Sequence, residues 1–373
     1  MVPPSSAIAS DLVPSSPGSP EDVWFVLDAT CSSERACWLE LWSRWPDREV
    51  WGHPDYVKLF AEVNHRPLCV GSHGPRGTIL FPLILRPLSE LAWATGYAAD
   101  CDLISPYGYG GPFMWGQPDV PKFWSSFVAW SRQIHAVSLF ARYSLFEEQL
   151  APLAEPATVA GQCVVVPVDL PVEVIWRGYE KAARENIRQA QRAGIVVEQD
   201  TSCRRLDEFL RVYYETMDRL VAPRTYYFTK EFFYQLVQAL QGSVVMFHAL
   251  QAGRVVSSEL LLVAPERAYA FLGGTVTDAL HLRCNQLLRH EVNVWARDAG
   301  KRHVVLGGGR SAGDNLFRYK KKFAPLGTRP FRVGRFILQE SAYQRLVLQR
   351  REWHAGRSEE WLPEPEFFPA YRA

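Results

Sequence analysis

The sequence predicts a mixed α+β protein built as two similar domains in tandem. The chain has 373 residues, of which 47% are hydrophobic and 13% aromatic, and this is enough apolar material for two cores of ordinary domain size. From Ile195 onward, the hydrophobic periodicity and the turn residues predict the order strand, two helices, three strands, helix, strand, helix, strand. The first half repeats a weaker version of that order, and a degenerate tandem repeat is the economical explanation.

Helix and hairpin signals define the elements of the second half. Gly194 and Gly242 each follow a helical period and end it, and Thr229 is a suitable N-cap for the helix after it. The links at 252–253 and 265–266 are short enough for hairpins, so the strands around them are expected to be antiparallel neighbours. The predicted elements are helix 171–193, strand 195–198, helices 205–221 and 230–241, strands 244–250, 254–263 and 267–273, helix 279–299, strand 302–306, a helix from about 314 and strand 329–338.

The first half and the chain ends carry weaker signals. Residues 1–22 are rich in Ser and Pro and are predicted to be a disordered leader. We place the N-terminal domain at 23–170, the C-terminal domain at 171–345, and at 346–373 a tail that packs on the body or frays. The first domain's predicted elements are helix 53–63, strands 68–70 and 78–85, helix 119–133, and strands 137–140 and 164–168.

Several classes of protein are disfavoured by composition. The seven cysteines are odd in number and contain no CxxC pair, so neither a disulfide framework nor a zinc ribbon is expected. The nine histidines contain no HxxxH or HExxH pair, and we predict no metal. No apolar run approaches the ~20 residues of a membrane span. A soluble protein of the reducing cytoplasm is therefore predicted.

A strongly basic segment lies near the end of the second domain. Between 301 and 335 the only acid is Asp314, whereas the net charge of the whole chain is only +1. A local positive field suits a phosphate-bearing partner. The ten basic residues of the segment are Lys301, Arg302, Arg310, Arg318, Lys320, Lys321, Lys322, Arg329, Arg332 and Arg335.

Three segments, together with the tandem order, resemble a known family. They are a basic helix with Arg184, Asn186, Ile187, Arg188, Ala190 and Gly194, the glycine-containing residues 105–112, and the FKxxF-like Tyr-Lys-Lys-Lys-Phe at 319–323. Together they resemble the Fem family and, more narrowly, the FemABX and BioF-like acetyltransferase branch of the GNAT superfamily. The resemblance covers about residues 50–340. It implies two tandem GNAT-like α/β domains with mixed central sheets, in which an antiparallel meander turns parallel at its last strands and opens a cleft.

The resemblance implies transfer of an activated acyl group to an amine. Some Fem-like enzymes take an amino acid from aminoacyl-tRNA and attach it to a peptidoglycan precursor or a small amine, whereas others are acetyltransferases. CoA-using GNAT enzymes hold pyrophosphate on a (Q/R)xxGx(G/A) loop, and the corresponding residues 273–279 lack it. Residues 310–315 imitate that loop one strand too late. We therefore favour aminoacyl-tRNA over acyl-CoA as the donor substrate, and expect no further cofactor.

Candidate site residues follow from the resemblance. Lys320 occupies the lysine of the FKxxF-like motif, which implies a cation near the donor phosphate or the developing oxyanion; the alternative is a solvated lysine. Tyr269 is the second catalytic candidate, with a buried strand tyrosine as its alternative. The donor-binding candidates are Arg184, Arg188, Arg318 and Lys321. The acceptor-binding candidates are Tyr107, Tyr109, Arg224, Tyr226 and Tyr227.

Each binding set has a structural alternative. The arginines of the 171–193 helix could simply form its solvated face, and residues 224–227 could be an interhelical loop whose aromatic rings fill the core. Some family members carry an acid shortly after the Gly-Pro of the 105–112 segment, but Phe113 follows here. This difference puts a carried-over general base and a nucleotide-linked peptidoglycan acceptor in doubt.

The expected chemistry needs few protein groups. An aminoacyl ester is already activated, and no Ser/His/Asp or Cys/His arrangement is evident from the sequence, so we expect direct attack by the acceptor amine without a covalent enzyme intermediate. Three hypotheses remain: a Fem-like aminoacyltransferase, an acyl-CoA-dependent N-acetyltransferase of the same fold, and a nonenzymatic RNA- or ligand-binding relic.

Overall fold

The protein forms two compact units in a computed structural model that describes residues 22–153, 157–309, 313–364 and 367–373. Unit 1 combines the described residues up to Ala160 with those from Phe331 to Ala373, and unit 2 is Gly161–Pro330. Apart from Asp22, the predicted leader lies outside the described residues.

The helices and strands alternate along the whole chain. In chain order they are β1 (Val23–Asp28), α1 (Ser32–Arg44), α2 (Pro54–Leu59), β2 (Arg66–Gly74), β3 (Gly77–Pro87), β4 (Cys101–Ile104), β5 (Phe113–Gly116), α3 (Val120–Gln133), β6 (Ala136–Arg142), β7 (Thr158–Pro167), α4 (Val172–Gly178), α5 (Lys181–Arg192), β8 (Val196–Asp200), α6 (Leu206–Arg219), α7 (Lys230–Ala239), β9 (Val244–Gln251), β10 (Arg254–Val263), β11 (Arg267–Thr275), α8 (Cys284–Asp298), β12 (His303–Gly307), α9 (Asn315–Lys321), β13 (Thr328–Ile337) and α10 (Glu340–Ala355).

Unit 1 contains a mixed sheet. Its strands lie in the order β1-β2-β3-β4-β6-β13, and β5 pairs with β3. Neighbours are antiparallel except β4 and β6, which run parallel because the chain crosses over through α3 between them. Asp119 caps α3 by accepting a hydrogen bond from the backbone N–H of Lys122, as its position before the helix predicts.

Unit 2 repeats this topology. Its strands lie in the order β7-β12-β11-β10-β9-β8, and only β11 and β12 run parallel, joined by the α8 crossover. The parallel pairing ends at Tyr269 and Val305, although β11 continues to Thr275 while paired with β10. The two parallel strands therefore separate beyond Tyr269. The predicted mixed α/β fold, with two GNAT-like sheets in tandem, is confirmed.

The antiparallel meander of unit 2 was predicted to within a residue or two. β9, β10 and β11 follow the alternating apolar pattern, and Thr229 caps α7 by accepting from the N–H of Phe232. Gly194, Gly242 and Gly300 adopt positive φ angles after their helices, which glycine tolerates because it lacks a Cβ. Turn chemistry and periodicity therefore decide these boundaries locally.

Some predicted helices are shorter or interrupted. The single helix expected at 171–193 is two helices, α4 and α5, because the chain turns at Tyr179 and Glu180 and buries the Tyr179 ring. The helix expected from 279 starts at Cys284, after a 3₁₀ turn at Thr277–Leu282. In unit 1 the helix predicted at 53–63 stops at Leu59. The elements β1, α1, β4 and β5 were not predicted.

The units divide the chain at different points from the predicted domains. The division falls inside β7, after Ala160, and inside β13, after Pro330, whereas we expected it at 170/171 and 345/346. The second half of β13 belongs to unit 1 because residues 333–337 pair with β6. In the described part of the predicted tail, Tyr371 is fully buried and its ring meets that of Tyr343 edge-on at 5.3 Å, so this segment packs within unit 1.

Neither a membrane span nor a metal cluster is found among the described residues. Within 22–153, 157–309, 313–364 and 367–373, none of the helices is long and apolar enough to cross a membrane. The same ranges contain no cluster of three or more His, Cys, Asp or Glu side chains that could hold a metal ion.

Candidate active site

Lys320 lies on a short helix directly after the parallel strand β12. Asp314 caps α9 by accepting from the N–H of Phe317 at 2.7 Å, which fixes the start of the helix. Lys320 then reaches back, and its Nζ donates to the carbonyl oxygen of Gly308 at 2.6 Å. Burial, reinforced by the nearby guanidinium of Arg289, lowers the pKa of Lys320 to about 8. The bland alternative of a freely solvated lysine is therefore wrong.

A buried ion pair lies beside this lysine. Glu259 on β10 accepts a hydrogen bond from Nη2 of Arg289 on α8, and the two residues are only 8% and 6% exposed. Among the described residues, Glu259 Oε2 and Arg289 Nε and Nη1 have no hydrogen-bond partner. Buried polar groups are usually satisfied, and exceptions concentrate at functional sites. The sequence signal for this pair was a glutamate interrupting an apolar strand and an arginine on the buried face of a helix.

Tyr319 packs into the same region. Its hydroxyl donates to the carbonyl oxygen of Asn285 at 3.2 Å, and its ring contacts Phe323 at a centroid distance of 5.7 Å. Burial raises the pKa of Tyr319 to about 12, with the charge of Arg289 acting in the opposite direction. Tyr319 thus stays neutral at physiological pH.

Tyr269 occupies the last paired position of the parallel strands. It is 2% exposed and faces Val305 in the β11–β12 register. This position is where the strands begin to separate. Its catalytic role stays a prediction.

The four donor-binding candidates differ in exposure and in their contacts. Arg184 donates to the backbone carbonyls of Tyr179 and Arg177, so its guanidinium holds the α4–α5 turn. Arg188 is exposed, and its guanidinium lies 5.4 Å from the ring centroid of Trp176. Arg318 is exposed and donates to Asn315 Oδ1 at 2.7 Å, and Lys321 is also exposed on α9. Of the two candidates on α5, Arg188 is therefore the one exposed to a ligand.

The acceptor-binding candidates fall in both units. In unit 1, the Tyr107 ring stacks near Phe60 and Tyr109 meets Trp51 edge-on at 5.3 Å. Gly108 between them has φ +98°, and a Cβ there would lie 2.4 Å from the Trp51 ring, so the loop requires glycine.

In unit 2, Arg224 and Tyr226 lie in an exposed 3₁₀ turn, and the Tyr227 hydroxyl donates to Asp218 Oδ1 at 3.0 Å. These three residues are brought together, with two of them open to solvent. Their roles, and those of the unit 1 tyrosines, stay predictions.

The basic segment 301–335 does not form one cationic surface. Lys301 donates to the carbonyls of Ala264 and Pro265, Arg302 lies near Glu266, and Lys320 is turned inward. Arg332 belongs to unit 1, where it pairs with Glu147. Arg310, with the rest of the glycine-loop imitation at 310–312, lies outside the described residues. The sequence run therefore overstated the local positive field.

Ser258, His248 and Asp200 lie in a line, an arrangement that was not evident from the sequence. Ser258 Oγ lies 2.8 Å from His248 Nδ1, and His248 Nε2 lies 3.8 Å from Asp200 Oδ2. The three residues sit on neighbouring strands β10, β9 and β8, and Ser258 and His248 are 1% and 0% exposed. Burial lowers the pKa of His248. A serine enclosed in this way cannot reach a substrate, so the line is a cross-strand structural contact.

The matched family model identifies the domain that holds these groups. Residues 177–321 match the model described as an acetyltransferase (GNAT) domain. Unit 2 carries a GNAT acyltransferase domain. The match runs from the end of α4 to the end of α9, so it includes the separated strands, the Glu259–Arg289 pair and Lys320.

Solved structures share the fold at low sequence identity. FemX has a TM-score of 0.60 and 13% identity, covering 83% of this chain and 97% of FemX. The C-terminal domain of a putative lysylphosphatidylglycerol synthetase from Agrobacterium fabrum has a TM-score of 0.53 and 15% identity, covering 84% of this chain and 96% of that domain. These similarities confirm the Fem-like GNAT fold. A comparison with curated protein sequences gave no match.

Proposed function

We propose that this acyltransferase moves an aminoacyl group from aminoacyl-tRNA to the amine of a small molecule or peptidoglycan precursor. The observation that carries the proposal is Lys320, a partly buried ammonium held by the Gly308 carbonyl beside the Glu259–Arg289 pair. A cation in such a place can stabilise negative charge on a reacting carbonyl, because it is already positioned and shielded from water.

The reaction needs no covalent enzyme intermediate. The neutral acceptor nitrogen attacks the ester carbonyl, a C–N bond forms, and the carbonyl oxygen becomes negative. Lys320 keeps its hydrogen bond to Gly308 and donates a second one from its ammonium to this oxyanion, which could lower the barrier by about 3 kcal/mol. The intermediate collapses, the C–O bond to the tRNA ribose breaks, and the proton lost by the attacking nitrogen is gained by the departing oxygen.

The choice of donor rests on the β11–α8 junction. A 3₁₀ turn at Thr277–Leu282 and Arg283, at φ +60°, occupy the place where CoA-using GNAT enzymes carry a glycine-rich pyrophosphate loop. The name of one fold relative, a putative lysylphosphatidylglycerol synthetase, describes a product with an attached amino acid, which is the type of transfer proposed here.

An acyl-CoA-dependent N-acetyltransferase is the second candidate. The matched family model is described as an acetyltransferase, and no side chain of the described residues caps the N-terminus of α8. Backbone N–H groups at a helix N-terminus attract anions such as a pyrophosphate. The two donors therefore have to be compared directly.

A side-by-side titration tests the proposal. Purified protein is titrated with aminoacyl-tRNA and with acetyl-CoA at two salt concentrations, using wild type, Lys320→Met and, as a control, Lys230→Met, which removes an exposed lysine that is not among the candidate site residues. Salt-sensitive tRNA binding without CoA binding supports the aminoacyltransferase. CoA binding alone would replace it with the second candidate. If the protein binds a donor but transfers no acyl group from either one, it is a nonenzymatic relic.

A further inference from the structure

A shallow recess opens between α4 and α8 in unit 2. It has a volume of about 220 Å³ and is lined by Val172, Glu173, Trp176, Arg177 and His290. This is smaller than the ~300 Å³ at which whole-ligand pockets begin, so it suits one flat fragment of a larger molecule.

Two aromatic rings give the recess its character. The centroids of Trp176 and His290 lie 5.1 Å apart with their planes at 58°. Burial lowers the pKa of His290 to about 4, so the imidazole is neutral at physiological pH. A partly exposed indole beside a neutral imidazole offers π faces to a planar heterocycle.

Two arginine side chains accompany these rings. The guanidinium of Arg188 lies 5.4 Å from the Trp176 ring centroid, and both Arg188 and Arg177 are exposed. Glu173 is the acidic member of the lining. An aromatic face with arginines beside it is the combination that binds a nucleobase together with its phosphate.

The recess is connected to the helix that carries Lys320. The Tyr179 ring lies 5.7 Å from His290 on one side and 5.2 Å from Phe323 on the other. The Glu180 N–H, at the start of α5, donates to the carbonyl of Lys322 at 2.8 Å. A donor whose terminal base lies in the recess would therefore lie beside the Tyr179 ring, which also contacts Phe323, two residues after α9.

We propose that the α4–α8 recess stacks the terminal nucleobase of the tRNA donor on Trp176, with Arg188 and Arg177 binding the adjoining phosphates. This inference rests on the proposed function, because it assigns the place where that donor's end is held. It gives Trp176 a binding role and makes Arg188 a phosphate ligand.

The test measures binding of a labelled RNA minihelix that ends in CCA and of the same RNA without its terminal adenosine. The variants are Trp176→Leu, Trp176→Phe and Arg188→Gln. Tyr234→Leu is the matched control, because Tyr234 is an exposed aromatic on α7 with Lys230 Nζ 5.4 Å from its ring. Thermal unfolding of each variant verifies the fold.

We expect Trp176→Leu to weaken binding of the full RNA about 5- to 100-fold, the range for loss of one stacked base, and Trp176→Phe to retain most of the affinity. The shortened RNA should bind wild type and Trp176→Leu with equal affinity, because it lacks the adenosine that would stack on Trp176. Arg188→Gln should reduce the salt dependence of binding. Tyr234→Leu should bind like wild type.

Two results would overturn the inference, and they are distinguishable. If wild type binds the RNA and Trp176→Leu binds it equally, the recess is not the base site, although the proposed donor stands. If wild type binds neither RNA, the proposed donor fails and the recess assignment fails with it; CoA added to the same samples then shows whether the second donor binds.

Discussion

Both units bury a carboxylate–arginine contact near the place where their sheet turns parallel, but only unit 1 satisfies its carboxylate on both oxygens. Asp102 on β4 is fully buried; its Oδ1 accepts from Arg86 at 2.6 Å and its Oδ2 from Arg372 at 2.5 Å. Among the described residues, the unit 1 cluster leaves one polar atom without a partner, Arg86 Nη2, whereas Glu259 and Arg289 of unit 2 leave three.

The difference separates a charge cluster whose carboxylate is satisfied from one that, among the described residues, keeps an unpaired carboxylate oxygen. A buried charge is tolerated only when it is paired and hydrogen-bonded, and unit 1 meets this condition at Asp102 with the chain's C-terminal arginine, Arg372. Unit 2 keeps spare hydrogen-bonding capacity and places Lys320 beside it. The same topology therefore supports a closed cluster in one unit and an open one in the other.

Removing the carboxylate of unit 1 should have the largest effect on stability. Asp102→Leu leaves Arg86 without its carboxylate partner and Arg372 paired with Glu90 alone, which should cost about 3–5 kcal/mol in the free energy of unfolding measured with urea. As a control, Glu40→Gln breaks a pair with Arg44 whose side chains are 41% and 43% exposed, and should cost less than about 1 kcal/mol. Equal stabilities for the two variants would contradict the closed-cluster assignment.

Removing the ammonium of unit 2 should affect the reaction more than the fold. Lys320→Met keeps most of the side-chain volume but removes the oxyanion donor, so kcat for aminoacyl transfer should fall by about 10²–10³. The exposed Lys230→Met should keep kcat within about twofold. If both variants transfer at the wild-type rate, the open cluster is not the catalytic one.

The pKa of Lys320 makes the open cluster sensitive to pH. The lowered pKa, about 8, means that the ammonium is lost as the pH rises through 8, and with it the stabilisation of the oxyanion. Lys320→Arg stays charged over this range, so the ratio of wild-type to Lys320→Arg rates should fall above pH 8. Taking the ratio cancels the ionisation of the acceptor amine. A ratio that rises instead would show that neutral Lys320 acts as a general base.

The Ser258–His248–Asp200 line should have the smallest effect. Ser258→Ala removes the hydroxyl that meets His248 at 2.8 Å, which should destabilise unit 2 by about 1 kcal/mol and leave the transfer rate within about twofold of wild type. Trapping an acyl group on Ser258 with donor alone would contradict both the structural assignment and direct amine attack.

Some features of the site could be predicted because their signals are local. Lys320 was found from the FKxxF-like motif at 319–323, and the family resemblance implied that the last strands, here β11 and β12, run parallel. The Glu259–Arg289 pair could not be predicted, because the two residues are 30 positions apart and their contact depends on how α8 lies across the sheet. The same holds for Trp176 and His290, which meet only through the packing of α4 on α8.

By itself, the sequence determined the antiparallel meander, the cap at Thr229, the helix start near Asp314 and the order of the elements in the second half, since hydrophobic period and turn chemistry act within a few residues. Only the tertiary structure decided that 331–373 completes unit 1, that Arg184 holds a helix turn, and that the basic segment is dispersed. Those outcomes depend on which side chains meet after folding, because charge pairing, burial and pKa are properties of the assembled neighbourhood.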